Sequence, residues 1–266
     1  MEKGGLKNLR DLGGLCNKDG RRVRRHLLFR SACLHGLSAE ESARLRDELG
    51  IRMIVDLRTS QEVAEKPDVV IDGVEYVHIP IFTESIIGIT KETGADTSAY
   101  IKRTWKRSSL RAAVPEMRDI YAHVMTDANV VRRMAEVMHL IISNAVEGRA
   151  TLFHCSQGKD RTGAISAFLL RLLDVDQETV VEDYVESNRV FRAKARKDYV
   201  KVLLFKLDHV TAGKVYRAQI ADRRYIAATF DSVERLYGSV ADFFRNGLDI
   251  TDEMKELFKQ RALQMA

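Results

Sequence analysis

A short apolar run that leads through a tight loop into an apolar helix constrains the fold of this chain more than any other feature. Residues 150–154, Ala-Thr-Leu-Phe-His, predict a buried strand, and Thr162 to Leu173 predicts an apolar helix. Gly158 and Gly163 allow the tight turn and the close backbone approach that such a connection requires. We therefore expect a strand–loop–helix unit of an α/β domain.

The rest of the chain predicts more strands early and mostly helices later. Ile51 to Leu57 is a nearly unbroken apolar run, typical of a strand buried on both faces. Leu27 to Phe29 and Val74 to Phe82 are further strand candidates. Capping boxes begin helices at Ser38 and Thr59. Other helices are predicted over 97–145, 177–187, 190–205, 222–237 and 251–266. This pattern indicates an α/β fold with a short, mostly parallel central sheet flanked by helices and a helix-rich C-terminal half.

Composition limits the class of protein. The 266 residues are 45% hydrophobic and 30% charged, with no repeat or linker, so we expect a single domain over 1–266. No apolar run approaches the roughly 18 residues of a membrane span, which predicts no stable membrane insertion. A net charge of +5 is too small for a dedicated nucleic-acid binder. Three cysteines and no secretory signal predict a cytoplasmic protein, leaving open signal-less export and the oligomeric state.

The loop after the predicted strand is predicted to bind a phosphate group. A tight loop that opens a helix turns successive backbone N–H groups inward, and the helix N-terminus adds partial positive charge. Cys155 lies at the base of this cradle, where amides and nearby cations lower the pKa of a thiol. A thiolate held there is placed to attack the phosphorus of a bound phosphomonoester. The candidate substrate-binding residues are Ser156, Gln157, Gly158, Lys159 and Thr162.

Arg161, six residues after the cysteine, is the candidate phosphate clamp. A guanidinium grips two phosphate oxygens at once, which the point charge of lysine does not reproduce. The hydroxyl of Ser156 or of Thr162 is a candidate donor to the cysteine sulfur, which would stabilise the thiolate as a leaving group.

These residues resemble the signature of the cysteine-dependent protein tyrosine phosphatase superfamily. The motif here is His154-Cys155, five residues, then Arg161-Thr-Gly. It is similar to the motif of the superfamily's bacterial branch, whose members also accept phosphoinositides and phosphoserine or phosphothreonine. Residues 8–14, Asn-Leu-Arg-Asp-Leu-Gly-Gly, resemble that branch's N-terminal motif, with Leu9 in place of phenylalanine. Further resemblances are Arg30-Ser31, residues 55–58 with Glu62, and residues 237–240. The resemblance implies a phosphocysteine intermediate, no metal, no cofactor, and a phosphorylated protein or phosphoinositide as substrate.

The sequence offers two candidates for the general acid. The chain has one tryptophan, Trp105, followed by lysine, so the Trp-Pro-Asp loop of the classical enzymes is absent. Asp160 is the leading candidate, and its alternative is a structural carboxylate that pairs with Arg161 or another arginine. Glu84 is the second candidate, because it lies near the position where related enzymes place an aspartate. In this chain that position is occupied by Thr83.

Four neighbouring side chains are candidate supports of the site. Lys159 is interpreted either as a second cation at the mouth of the cradle, selecting substrates with additional phosphates, or as a solvated lysine. His154 either orients the loop backbone or is a satisfied buried histidine. Asp56 and Arg58 lie at the C-terminal end of a predicted parallel strand, and the resemblance implies that they support the loop. Arg58 and Glu62 are also spaced for a local ion pair.

Other functions and weaker signals stay open at this point. A rhodanese-like sulfurtransferase also uses a cysteine in a tight loop, and a non-catalytic phosphate-binding module would share the cradle. The basic runs Arg21 to Arg25 and Arg189 to Lys201 are most simply solvated, with an anionic-lipid patch and a lid over an acidic substrate as their respective alternatives. Cys33 is a candidate for a reversible disulfide with Cys155.

Overall fold

A five-stranded sheet forms the centre of the structure, a computed structural model that describes residues 6–82, 116–206 and 208–265. Its strand order is β1-β3-β6-β4-β5, and only the β1–β3 pair is antiparallel. Strands β2 and β7 pair separately. The strands are β1 Arg10–Asp11, β2 Arg22–Val23, β3 Leu28–Ser31, β4 Ile51–Asp56, β5 Glu75–His78, β6 Ala150–His154 and β7 Leu263–Gln264.

Helices cover both faces of this sheet. Those in the described residues are α1 Ala39–Ala43 (continued by a π-helical turn, Arg44–Glu48), α2 Ser60–Glu65, α3 Met117–His123, α4 Ala128–Val146, α5 Asp160–Leu172, α6 Gln177–Glu186, α7 Asn188–Lys206, α8 His209–Gln219, α9 Arg223–Tyr237, α10 Val240–Asp242 and α11 Asp252–Ala262. None of these helices is both long enough and apolar enough to cross a membrane.

Alternation along the central strand explains why both faces need a cover. Successive side chains of a strand point to opposite faces, so Leu152 and Phe153 of β6 enter two different hydrophobic clusters. The smaller cluster includes Leu45 beside α1, and the larger one includes Ile141 of α4 and Phe168 of α5. The nearly unbroken apolar runs in the sequence reflect this burial on both sides.

The parallel strands end in register, and this places their last residues at one edge. Ser31, His154, Asp56 and His78 are opposite one another in β3, β6, β4 and β5. Ligands of parallel α/β sheets bind beyond the carboxyl ends of the strands. The loop after β6 begins at this edge.

The predicted fold class is confirmed, with differences in detail. Both predicted capping boxes form, at Ser38 with Glu41 and at Thr59 with Glu62. The strand predicted over 74–82 is limited to β5, and the predicted C-terminal helix ends at Ala262, where the chain pairs with β2. Helix α8 was not predicted from the sequence. Of the helical region predicted over 97–145, residues 97–115 lie outside the described residues.

Candidate active site

The loop that joins β6 to α5 packs directly against the end of β3. Gly158 lies in this loop at a φ of 65°, in the left-handed region that glycine adopts most easily. A Cβ atom at this position would lie 2.0 Å from the carbonyl oxygen of Ser31. Position 158 therefore accepts glycine alone, because a side chain would push the loop off the sheet edge.

The outward carbonyls of the loop are held by two side chains from distant parts of the sequence. Asn8 Nδ2 donates to the carbonyl oxygens of Gln157 at 3.0 Å and Gly158 at 2.9 Å. Arg30 Nη2 donates to the Gly158 oxygen at 2.8 Å. Because the C=O and N–H of one peptide point in opposite directions, these bonds turn the amides of Gly158 and Lys159 to the concave side. Donors for an anion are thereby arranged inside the loop.

A carboxylate on α6 fixes both of these side chains. Asp183 accepts from Arg10 Nε at 2.7 Å and from Arg30 Nη1 at 2.6 Å, and Arg10 Nη1 donates to Asn8 Oδ1 at 2.7 Å. The N-terminal motif therefore belongs to the scaffold of the loop. Asp183 was missed by sequence reasoning, because no local pattern connects α6 to a loop more than twenty residues away.

Cys155 is buried at the base of the loop. Burial alone raises the pKa of its thiol. The Arg161 guanidinium and interactions with the hydroxyl and backbone amide of Thr162 more than offset that effect, so the pKa of Cys155 lies below its usual range. A nucleophilic thiolate is thereby favoured at this position.

Arg161 is oriented by a carboxylate from α2. Its Nη1 and Nη2 atoms donate to the two oxygens of Glu62, each at 2.7 Å, and Nη1 also donates to the Leu57 carbonyl at 3.3 Å. Glu62 Oε1 further accepts from the Ser156 hydroxyl. Of the two hydroxyls proposed to support the sulfur, that of Ser156 is thus directed to Glu62. That of Thr162 contributes to the lowered pKa of Cys155 but has no hydrogen-bond partner in the described residues.

The local pair between Arg58 and Glu62, the alternative to a supporting role, does not form, because Arg58 belongs to a buried network. Its Nη2 atom lies 2.6 Å from Asp56 Oδ2 and 2.9 Å from Asp68 Oδ2. Tyr76 donates its hydroxyl to Asp56 Oδ2 at 2.7 Å. This network fills the sheet edge directly beside the loop.

His154 joins the same network at the end of β6. Its Nε2 atom lies 2.9 Å from Asp68 Oδ2, and Nδ1 lies 3.8 Å from Asp56 Oδ1 and 3.4 Å from the Cys155 carbonyl oxygen. Burial lowers the pKa of His154, but the two carboxylates raise it overall. His154 is therefore a buried residue close to two carboxylates, and its Nδ1 atom also contacts the loop backbone.

The ligand atoms of Asp56, Asp68 and His154 lie within 4.8 Å of one another, which is close enough for a metal ion. The Arg58 guanidinium, however, already lies between the two carboxylates and supplies the compensating positive charge. The chemistry of this cluster is therefore that of an internal ion pair.

Asp160, the leading acid candidate, is buried at the start of α5. Its Oδ1 atom accepts a hydrogen bond from Tyr121, whose hydroxyl lies 2.8 Å from that of Tyr184. Its Oδ2 atom lies 3.4 Å from Lys159 Nζ. Within the described residues Asp160 does not pair with Arg161, which is held by Glu62, so the structural alternative rests on Tyr121 and Lys159 instead. Asp160 and Arg161 nevertheless border the same cavity of about 30 Å³, whose walls are otherwise almost entirely apolar.

The sequence led us to expect Lys159 either at the mouth of the loop or in solvent. The structure shows neither. The Lys159 side chain is fully buried, and Nζ donates to the carbonyl oxygen of Ala218 in α8 at 2.9 Å. Burial is possible because this carbonyl and the Asp160 carboxylate satisfy the ammonium group. The lysine therefore connects the loop to the helices above it.

Three residues considered in the sequence analysis, Glu84, Thr83 and Trp105, lie outside the described residues.

Cys33 lies beside the loop, where it donates its backbone N–H to the Ser156 carbonyl at 3.3 Å. Burial raises the pKa of the Cys33 thiol, so it stays protonated, and the disulfide with Cys155 remains a prediction.

Comparison with known proteins decides the family. The model of the tyrosine phosphatase family matches residues 1–264. The chain belongs to the tyrosine phosphatase family. The predicted resemblance and reaction class are thus confirmed, and the sulfurtransferase alternative is set aside.

Relatives of this phosphatase span most of the chain. It is 30% identical over 246 residues to the triple specificity protein phosphatase PtpB of Mycobacterium tuberculosis, covering 82% of this chain and 84% of that protein. It is 28% identical over 248 residues to a tyrosine-protein phosphatase of Cupriavidus necator, covering 92% and 82%. The crystal structure of P. aeruginosa TpbA is similar at a TM-score of 0.32 and 15% identity, over 80% of this chain and 90% of that one.

Proposed function

We propose that this phosphatase hydrolyses phosphotyrosine, and also phosphoserine, phosphothreonine and phosphoinositides, through a covalent phosphocysteine on Cys155. The observation that carries this proposal is a buried cysteine of lowered pKa at the base of a loop that Asn8 and Arg30 hold in shape. The name of the mycobacterial relative, a triple specificity phosphatase, supports the breadth of substrates. Because the mechanism needs a reduced thiol and all three cysteines are free, we also propose a cytoplasmic location.

The first step forms the phosphocysteine. The Cys155 thiolate attacks the phosphorus, an S–P bond forms, and the P–O bond to the leaving group breaks. The loop amides of residues 156–161 bind the equatorial oxygens, with Arg161 gripping two of them along its Nε–Nη2 edge. Glu62 holds the adjacent Nη1–Nη2 edge of the guanidinium and so fixes its plane. The leaving oxygen takes a proton from Asp160.

The second step restores the enzyme. Water attacks the phosphorus, the S–P bond breaks, and phosphate leaves while Asp160 takes a proton from the water. Thr162 stabilises the thiolate as it leaves, through the same interactions that lower the pKa of Cys155. No step in this scheme needs a metal ion.

Phosphate release from a matched panel tests the proposal. The panel consists of a phosphotyrosine peptide, the corresponding phosphoserine peptide and phosphoinositides, each incubated with the wild type and with Cys155→Ser. We expect release by the wild type that is lost in the variant, with phosphotyrosine turned over fastest. Binding of the phosphopeptides without any release would instead show a non-catalytic phosphate-binding module.

Replacing Asp160 by asparagine is expected to slow aryl phosphates with poor leaving groups more than those with good ones. A poor leaving group needs its proton during P–O cleavage, and general-acid catalysis contributes about a hundred- to ten-thousandfold. We would measure kcat/KM across a series of aryl phosphates whose phenols differ in acidity, with Glu84→Gln, the second acid candidate, measured in parallel. Equal loss across the series in Asp160→Asn would show that Asp160 only positions the loop. A leaving-group effect confined to Glu84→Gln would assign the acid to Glu84.

A further inference from the structure

Helices α7 and α8 form a hairpin with an exposed outer face. The ring of Tyr199 in α7 packs edge-on against that of Tyr216 in α8, with centroids 6.3 Å apart. Closer to the base, Lys194 Nζ lies 3.4 Å from Gln219 Oε1. The C-terminal end of α7 and the start of α8 thus form the tip of the hairpin, distant from Asn188.

The outer face of α7 consists of two adjacent rows of exposed side chains spaced four residues apart. Side chains four residues apart in a helix lie on the same face, one above the other. The rows are Arg192, Arg196, Val200 and Leu204, and beside them Ala193, Lys197, Lys201 and Phe205. Both rows are thus basic or small near the base and apolar at the tip.

The apolar end of this face is unusually exposed for such large side chains. Leu204 and Phe205 are 71% and 73% exposed, Val200 one turn earlier is 50% exposed, and Val210 at the start of α8 is 45% exposed. A contiguous exposed apolar patch rimmed by polar groups marks an interaction surface.

In the described part of the chain, no acidic side chain pairs with the basic part of this face. Between Arg189 and Lys206 the sequence contains a single acid, Asp198, which is buried and lies 2.7 Å from Lys194 Nζ. Arg192, Arg196, Lys197 and Lys201 form no ion pair within the part of the chain that the structure describes. A face of one sign complements a partner of the opposite sign.

The combination of a narrow apolar tip with flanking cations fits a lipid bilayer better than a protein surface. Interfacial helices place phenylalanine and leucine at the boundary between headgroups and acyl chains and keep lysine and arginine among the headgroups. Leu204 lies about 18 Å along α7 from Arg192, so the tip can enter obliquely while the cations stay at headgroup level.

The base of the hairpin is attached to the catalytic loop. Lys159 donates to the Ala218 carbonyl, and Asn188 and Ala221 exchange two hydrogen bonds of 2.8 and 2.9 Å. A surface bound by the tip would therefore be linked to the loop through a short, hydrogen-bonded path.

We propose that the α7–α8 hairpin docks this protein onto anionic membrane surfaces, with Leu204 and Phe205 inserted and Arg192, Arg196, Lys197 and Lys201 bound to lipid headgroups. The docking is a binding property and does not depend on catalysis. Since the tip belongs to no part of the phosphate site, its removal leaves turnover of a small soluble aryl phosphate unchanged.

Co-sedimentation with vesicles tests this proposal. Wild type and Cys155→Ser are incubated with vesicles of phosphatidylcholine alone and with vesicles that also contain about a fifth phosphatidylserine. We expect both proteins to bind the second kind only, and added salt to weaken that binding. Binding by Cys155→Ser separates this result from the proposed hydrolytic function.

Two double variants and two matched controls locate the binding surface. Arg196→Gln/Lys197→Gln should lower the partition coefficient about 25-fold, at roughly fivefold per cation. Leu204→Ser/Phe205→Ser should lower it at least tenfold. The controls are Arg24→Gln/Arg25→Gln in the other basic cluster and Val70→Ser, a 93% exposed apolar residue elsewhere, and both should bind like the wild type. Circular dichroism confirms that every variant is folded.

Two results would overturn the proposal. The first is a folded wild type that binds neither kind of vesicle, which would make the face a protein-binding or simply solvated surface. The second is a loss of binding in the Arg24→Gln/Arg25→Gln control that equals the loss in the hairpin variants, which would assign lipid binding to residues 21–25.

Discussion

Replacing Arg161 by lysine is expected to lower kcat/KM on phosphotyrosine by about a hundred- to a thousandfold. Lysine keeps the positive charge but loses the planar fork that holds both oxygens of Glu62. It would also lose the bidentate grip on two phosphate oxygens as charge develops on them. The measurement is steady-state kinetics on a phosphotyrosine peptide.

Arg171→Lys is the matched control, because Arg171 lies on the same helix α5 and donates to the Val175 carbonyl away from the loop. It should retain nearly full activity. If Arg161→Lys were as active as this control, the positive charge alone would suffice, and the clamp assigned to the guanidinium would be wrong.

Replacing Asp56 by alanine is expected to lower the free energy of unfolding by about 3–5 kcal/mol. Asp56 is fully buried and accepts from Arg58 Nη2 at 2.6 Å and from the Tyr76 hydroxyl. Its removal leaves a buried guanidinium with Asp68 as its remaining carboxylate partner. Urea unfolding measures the change, and Tyr76→Phe, which deletes one hydrogen bond, should cost only about 1 kcal/mol.

Asp56→Ala should also change how the free energy of unfolding depends on pH in acid. Burial raises the pKa of Asp56, but His154, Arg58 and Tyr76 together hold it well below its usual range. A carboxyl with a lowered folded pKa stabilises the protein above its unfolded pKa of about 3.9, and this contribution is lost as the pH falls towards the folded value. Asp56→Ala should therefore lose stability less steeply in acid than the wild type. Two results would contradict the role assigned to this network. One is the same pH dependence of the unfolding free energy in Asp56→Ala and in the wild type, and the other is a loss of unfolding free energy no larger than that of Tyr76→Phe.

The reactive centre could be predicted from the sequence because its parts are local. Cys155, Gly158, Arg161 and Thr162 lie within eight residues between a strand and a helix, and backbone geometry alone brings them together. The strands of the sheet could be predicted equally well, because strands buried on both faces are nearly continuous apolar runs in the sequence.

The supports of the centre could not be predicted in the same way, because they depend on tertiary contacts. Glu62 was recognised as part of a capping box, but its partner Arg161 is ninety-nine residues away. Asp183 has no sequence signal at all. Lys159 was expected either at the mouth of the loop or in solvent. Its burial depends on the Ala218 carbonyl of α8, a helix whose pattern was not recognised.

The most direct test of the account is to trap the phosphoenzyme during turnover. The wild type is mixed with a phosphotyrosine peptide, quenched rapidly, digested and analysed by mass spectrometry, with Cys155→Ser treated in parallel. The account predicts a phosphoryl group on the peptide that contains Cys155, and neither adduct nor phosphate release in the variant. Phosphate release that persists in folded Cys155→Ser would contradict it.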